Sequence, residues 1–248
     1  MCPNVMIKVP ASTEGIAVLQ ALAARGISTN TTVCFTLPQI LASARATEAG
    51  LKLGQKGSFY LPETVDLHRW RAVITMMIGR LTENPALDVQ ARRQGIELTW
   101  QEKHWFGIAV FQRAYRLLKD EGYPSKMLAC SMRQGPVVAG RQKFWDLEKL
   151  AGEVVFTCPP YVLEPLFEVG DDLTFENIEA VQVPQRVLDK VLQIPYALQS
   201  YEPNGMWLEQ FNAHPATIDT VASFSKAMAG LEEYVSQRLV AVRELVPA

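Results

Sequence analysis

The sequence predicts an α/β protein, a parallel sheet with helices packed outside it. Three observations predict this. Short apolar runs rich in Val, Ile, Met and Cys recur through the first half of the chain. Longer amphipathic stretches separate them. Each run is continuously apolar rather than alternating, as a strand covered on both faces requires.

The elements follow in order. "VMIKV" (5–9) reads as a strand. "TEGIAVLQALAARG" (13–26) reads as a helix, with Thr13 as N-cap and Gly26 as the stop. "STNTTVCFT" (28–36) is a β-branched strand, and 38–54 is a helix with Pro38 in its first turn. Residues 55–70 are polar and turn-rich and read as a connector. "AVITMMI" (72–78) is the third strand. Residues 99–122 form a long helix, with Trp105, Ile108, Ala109, Phe111 and Tyr115 near helical spacing. "KMLACSM" (126–132) is the fourth strand, 143–152 a helix, and "EVVFTC" (153–158) the fifth strand, closed by Pro159 and Pro160. A further helix begins at "YVLEPLF". Beyond about residue 175 the strands stop, and three helices are expected at 184–193, 205–213 and 216–245. The expected division is a sheet domain over 1–175 and a helical extension over 176–248.

Only five βα units can be counted. About 250 residues would suit a complete eight-stranded β/α barrel, but the count does not support one.

Composition narrows the classes. Lys and Arg total 24 against 26 Asp and Glu, a formal charge of −2, so no footprint for nucleic acid or an anionic membrane is expected. No apolar run reaches the length of a membrane span, and no signal peptide is expected, so the expectation is a cytoplasmic protein. Cys2, Cys34, Cys130 and Cys158 form no C-x-x-C pair and read as small buried hydrophobes in a reducing compartment. His68, His104 and His214 are scattered and read as structural or exposed. Trp100, Trp105 and Trp145 read as packing residues, and the Asp pair at 171–172 as a solvated loop. No cysteine stands near a histidine at metal-ligand spacing.

One strand carries a residue that its apolar neighbours do not explain. Met6 and Lys8 share one face of the first strand, and Val5, Ile7 and Val9 the other. A half-buried lysine is disfavoured as an ammonium, and its neutral amine can attack a carbonyl and form a Schiff base. Taken alone, this strand favours the other reading, a lysine at a strand end that snorkels its ammonium into water. Neighbouring strands add polar groups near their C-terminal ends, where α/β sheets build their sites. Asn30, Thr32 and Cys34 share a parity. Thr75 shares a face with Met77, with Arg80 in the loop beyond. Ser131 and Arg133 share a face at the end of the fourth strand. Two forked guanidinium cations, two hydroxyls, an amide and an amine suit a phosphorylated carbonyl compound, such as a sugar phosphate.

The stretch "NVMIKVPASTEGIAVLQALAARGISTNTTVCFT" resembles the transaldolase family. That family has a lysine strand I-K-[IVL]-[PA]-[AS]-[ST], then a helix with a G-I pair, then G-I-x-x-N-x-T and an apolar strand ending F-[ST]. Lys8, Pro10, Ala11, Gly15, Ile16, Gly26, Ile27, Asn30, Thr32, Phe35 and Thr36 match it. The resemblance runs on through "ITMMIGRL", "MLACSMR" and "VVFTCPP", over roughly residues 3–165.

The resemblance implies the (β/α)8 TIM-barrel family, here as a partial barrel of the last five βα units plus the helical extension. It implies that Lys8 is the Schiff-base lysine and that Asn30 and Thr32 are its polar neighbours. Thr75 takes a position where the family has Ser. Arg80, Ser131 and Arg133 match the substrate- and phosphate-binding set. The implied reaction moves a dihydroxyacetone unit from a ketose phosphate donor to an aldose phosphate acceptor, within the pentose phosphate pathway, and the resemblance implies that it needs no metal or organic cofactor. In the family, earlier strands supply an aspartate and a glutamate for proton transfer. This sequence begins just before the lysine block, and Asp66, Glu83 and Asp88 match neither carboxylate. Slow turnover is therefore expected, since acid–base help contributes about 10²–10⁴-fold. Exposed sheet edges would favour a homo-oligomer. The alternatives are a related aldolase lyase and a catalytically dead partial barrel acting as an interaction module.

Overall fold

A computed structural model describes residues 5–56, 68–170 and 173–245. Cys2, Asp66, the Asp pair at 171–172 and most of the 55–70 connector lie outside the described residues. The chain runs β1 (Ile7–Pro10), α1 (Thr13–Ala24), β2 (Thr29–Cys34), α2 (Leu37–Gln55), β3 (Ala72–Met77), α3 (Ile78–Thr82), α4 (Pro85–Arg93), α5 (Trp100–Asp120) and β4 (Ser125–Cys130). A two-stranded ribbon, β5 (Val137–Val138) and β6 (Arg141–Gln142), leads to α6 (Trp145–Glu148), β7 (Val155–Phe156) and α7 (Pro160–Val169). Then come α8 (Gln185–Val191), α9 (Pro195–Tyr201), a 3₁₀ turn (Leu208–Ala213) and α10 (Pro215–Leu245).

The sheet has five parallel strands in the order β1-β2-β3-β4-β7. This is the α/β architecture read from the apolar runs, and it is consistent with a partial barrel. The expected strand at 153–158 shrinks to two residues in β7, and the expected helix at 143–152 to one turn, α6. The short helices α3, α4 and α9 were not expected. Asn84 caps α4 through its side chain, and Pro85 and Pro195 open α4 and α9, so their start signals were present in the sequence.

Strand register sorts the side chains. Val9, Thr31, Ile74, Met76, Met127 and Ala129 are buried on one face. Ile74, Met76, Met127 and Ala129 pack there with Ile40, Leu41, Phe106, Val110 and Phe111 of α2 and α5. The same core takes in Ile178, Val181, Val187, Val191, Ile194 and Tyr196. Gln112 of α5 donates to the Ile178 and Val181 carbonyls, and the Tyr196 hydroxyl donates to Leu81 O at 2.9 Å. The segment after residue 176 is thereby fixed to the helical layer.

Two caps set where β1 and β2 end. Ser12, one residue before the expected cap, accepts from Gly15 N at 2.9 Å and starts α1. Thr13 instead meets the 3₁₀ turn, with its N–H on Asn212 Oδ1 and its hydroxyl on Leu208 O. Thr36 and Gln39 form a capping box at α2. Gln39 is fully buried and reaches back, its Nε2 donating to Ala11 O and Val33 O. It thus ties the end of β1 to the end of β2. Among the described residues no helix is long and apolar enough to cross a membrane.

Candidate active site

The polar sheet face is built by register. Lys8 pairs with Asn30 and Pro10 with Thr32, so Lys8 and Asn30 project from the same face of neighbouring strands. Thr75 joins them, its hydroxyl donating to Asn30 Oδ1 at 2.6 Å. With the carbonyl occupied, Asn30 keeps its NH2 to donate to a ligand oxygen. Thr32 and Thr75 are buried and Asn30 is half-buried. Lys8 is exposed on the edge strand, as the snorkelling reading of this strand expects, and is not a half-buried amine.

The expected parity of Asn30, Thr32 and Cys34 breaks at a bulge. The β2–β3 register shifts between Thr31 and Cys34, and Val33 takes φ 47°. The extra residue turns Cys34 to the opposite face, where it pairs with Met76 and is fully buried in the helical core.

Beyond the strand ends lie the cations. Ser131 follows β4 with φ 55°, a conformation that β-carbon-bearing residues adopt at a cost and that clusters at functional sites. Its carbonyl accepts from Gly79 N at 3.1 Å and from Arg133 Nη1 at 2.7 Å. A β-carbon on Gly79 would fall 2.2 Å from that carbonyl oxygen and 2.8 Å from Arg133 Cζ, so only glycine lets the chain pass this close. Arg133 N donates to the buried Asp146 at 3.0 Å. Arg80 is placed with its guanidinium carbon 5.2 Å from the Phe224 ring centre, at cation–π distance. Gly79, Arg80, Glu83, Asn84, Arg133 and Asp219 are among the residues that line a cleft of about 180 Å³ beside the base of α10.

Cys130 ends β4, one residue before Ser131. Burial pushes its thiol up, while Ser131 and the positive charges of Lys8, Arg80 and Arg133 pull it back. Cys130, Glu83 and Tyr161 were not anticipated from the sequence. Cys130 stands two residues beyond Leu128 and on its face, next to Thr75 and Met77 of β3, so strand parity could have found it. Glu83 and Tyr161 both contact Arg133, and no sequence pattern marked them. Among the described residues no group of three or more His, Cys, Asp or Glu side chains could hold a metal ion.

The site invites comparison with known proteins. A model of the transaldolase/fructose-6-phosphate aldolase family matches residues 1–233. A probable transaldolase of Roseiflexus sp. (strain RS-1) is 31% identical over 104 residues, 39% of this chain and 48% of that protein. A probable transaldolase of Clostridioides difficile (strain 630) is 29% identical over 103 residues, 38% of this chain and 48% of its own length. A transaldolase of Arthrobacter sp. (strain FB24) is 27% identical over 179 residues, 67% of this chain and 46% of its own. The chain spans about half the length of the curated relatives it matches. The family match covers most of the sequence and includes the lysine strand, the paired asparagine strand and both arginines, and the chain belongs to the transaldolase/fructose-6-phosphate aldolase family.

Proposed function

We propose that this chain carries out transaldolase-type chemistry, moving a dihydroxyacetone unit between sugar phosphates through a Schiff base on Lys8, in the manner of the pentose phosphate pathway. The observation that carries the proposal is the strand register: Lys8 stands beside Asn30 on one face, Thr75 is bonded to Asn30, and the ends of β3 and β4 beyond them lead to Arg80 and Arg133, joined where Gly79 N and Arg133 Nη1 both donate to Ser131 O. In this reading the amine meets the keto carbon and the arginines lie toward the phosphate.

The Lys8 amine adds to the keto carbon, and loss of water leaves an iminium. The bond between the third and fourth carbons breaks, its electron pair moves into the iminium, and an aldose phosphate leaves with the hydroxyl proton passed to solvent. The enamine carbon then attacks the aldehyde of a second aldose phosphate, and water releases the new ketose. Asn30 donates to a substrate hydroxyl and Thr75 fixes its amide. Thr32 lines the strand beside it. Ser131 holds Arg133 through its carbonyl. With Lys8 exposed, water has access to the iminium.

Borohydride reduction in the presence of fructose 6-phosphate tests the proposal. The peptide containing Lys8 should gain the mass of a reduced sugar adduct, and a Lys8→Met chain should gain none. A correctly folded sample without an adduct at Lys8 refutes it.

A further inference from the structure

The Arg133 guanidinium is already occupied on most of its edges. Nη1 donates to Ser131 O at 2.7 Å, Met132 O at 3.2 Å and the Tyr161 hydroxyl at 3.0 Å. Nε donates to Glu83 Oε2 at 2.6 Å. Among the described residues no hydrogen bond is made by Nη2. A guanidinium grips an oxyanion with two parallel N–H groups, from either the Nη1–Nη2 or the Nε–Nη2 edge. The first edge is taken by the loop after β4, and Gly79 packs against Cζ, so this side of the arginine is fixed. The second edge is the one a phosphate could grip, and Glu83 sits on it.

Glu83 is also the movable partner. Its side chain is 45% exposed, against 23% for Arg133. An ion pair this open contributes little and gives way to a stronger anion. The cleft around it holds Arg80 and Arg133 against Glu83 and Asp219, two charges of each sign. Asp219 accepts from Asn84 Nδ2 at 2.8 Å, which leaves Glu83 as the carboxylate set on an arginine.

We infer that Glu83 is a specificity-determining residue, an internal competitor that covers the two-pronged edge of Arg133 until a phosphate dianion displaces it. The inference rests on the phosphate role given to Arg133 above. A phosphorylated substrate supplies the charge to move Glu83, and an unphosphorylated sugar does not. Removing the Glu83 charge should then strengthen anion binding, whereas a carboxylate that merely braced the arginine would weaken binding when lost.

Calorimetric titration of inorganic phosphate into the full chain, Glu83→Gln and Arg133→Ala separates the outcomes. Glu83→Gln should bind phosphate more tightly than the unaltered chain, by about fivefold, what release of an exposed ion pair allows. Arg133→Ala should lose the binding. If Arg133→Ala binds like the unaltered chain, the phosphate role of Arg133 fails and the competitor role fails with it. If Arg133→Ala loses binding and Glu83→Gln binds equally or more weakly, the phosphate role stands and the competitor role is overturned.

Discussion

Replacing Gln39 with leucine should cost the chain about 3 kcal/mol or more, although Gln39 touches no proposed substrate group. The side chain is fully buried between the ends of β1 and β2. Its Oε1 accepts from Phe35 N at 3.0 Å and Thr36 N at 3.2 Å, and its Nε2 donates to Ala11 O at 3.0 Å. Ala11, Phe35 and Thr36 are themselves fully buried, so water cannot replace the amide without the fold opening. Leucine removes the partner of two N–H groups and of two carbonyls, Ala11 O and Val33 O, at about 1–3 kcal/mol for each group left unpaired, and its own apolar burial offsets only part of that. Against a typical stability of about 5–15 kcal/mol the loss is large. Urea unfolding followed by tryptophan fluorescence measures it as a lower midpoint at unchanged slope. A loss under about 1 kcal/mol would refute the reasoning, because the orphaned backbone groups would then have found other partners.

Two further outcomes follow from burial. His214 packs near Phe35 and Tyr196, with Ser200 Oγ 3.4 Å from its Nε2, and burial lowers its pKa from 6.5 to about 4. The unfolded chain then binds the proton more readily, so stability present above about pH 6.5 is lost as the pH falls toward 4, by about 3 kcal/mol from this ring. His214→Phe should flatten that part of the urea midpoint against pH, and an unchanged slope counts against the assignment. Residues 221–239 of α10 are all exposed, so hydrogen bonding within a single helix is their main support. Their amides should exchange with deuterium far faster than those of α5, where Phe106, Ile108 and Phe111 are fully buried. Equal protection in the two helices would show that α10 is covered in solution.

The fold was legible where local signals and tertiary demands agree. The β2 run is flanked by Gly26 and the Thr36 cap, and α5 carries a long apolar face, so both appeared at nearly their full extent. Legibility failed where tertiary contacts shorten an element. The run "EVVFTC" has the composition of a strand, but only Leu128 and Ala129 of β4 offer it register partners, and two residues pair. The run at 143–152 has helical texture. Yet the buried Glu148 accepts from Phe144 N and Thr174 N, tying α6 to the segment after α7, and one turn is all that forms.

The site divides along a different line. Strand alternation was enough to bring Lys8, Asn30 and Thr75 to one face, because β1, the first half of β2 and β3 keep an unbroken period of two. The same rule misplaced Cys34, since a period of two does not survive the extra residue at Val33. Arg133 shows a limit that no periodicity removes. Its place after β4 could be read from Ser-x-Arg, but the availability of its five N–H groups could not. That depends on Glu83, fifty residues earlier, and Tyr161, twenty-eight later, which reach it only in the folded chain. A guanidinium with its Nη1 edge closed and its Nε edge under a carboxylate is a different ligand from a free one. The phosphate affinity proposed for this site would therefore depend on Glu83, which no motif marks, as well as on the arginine that a motif does.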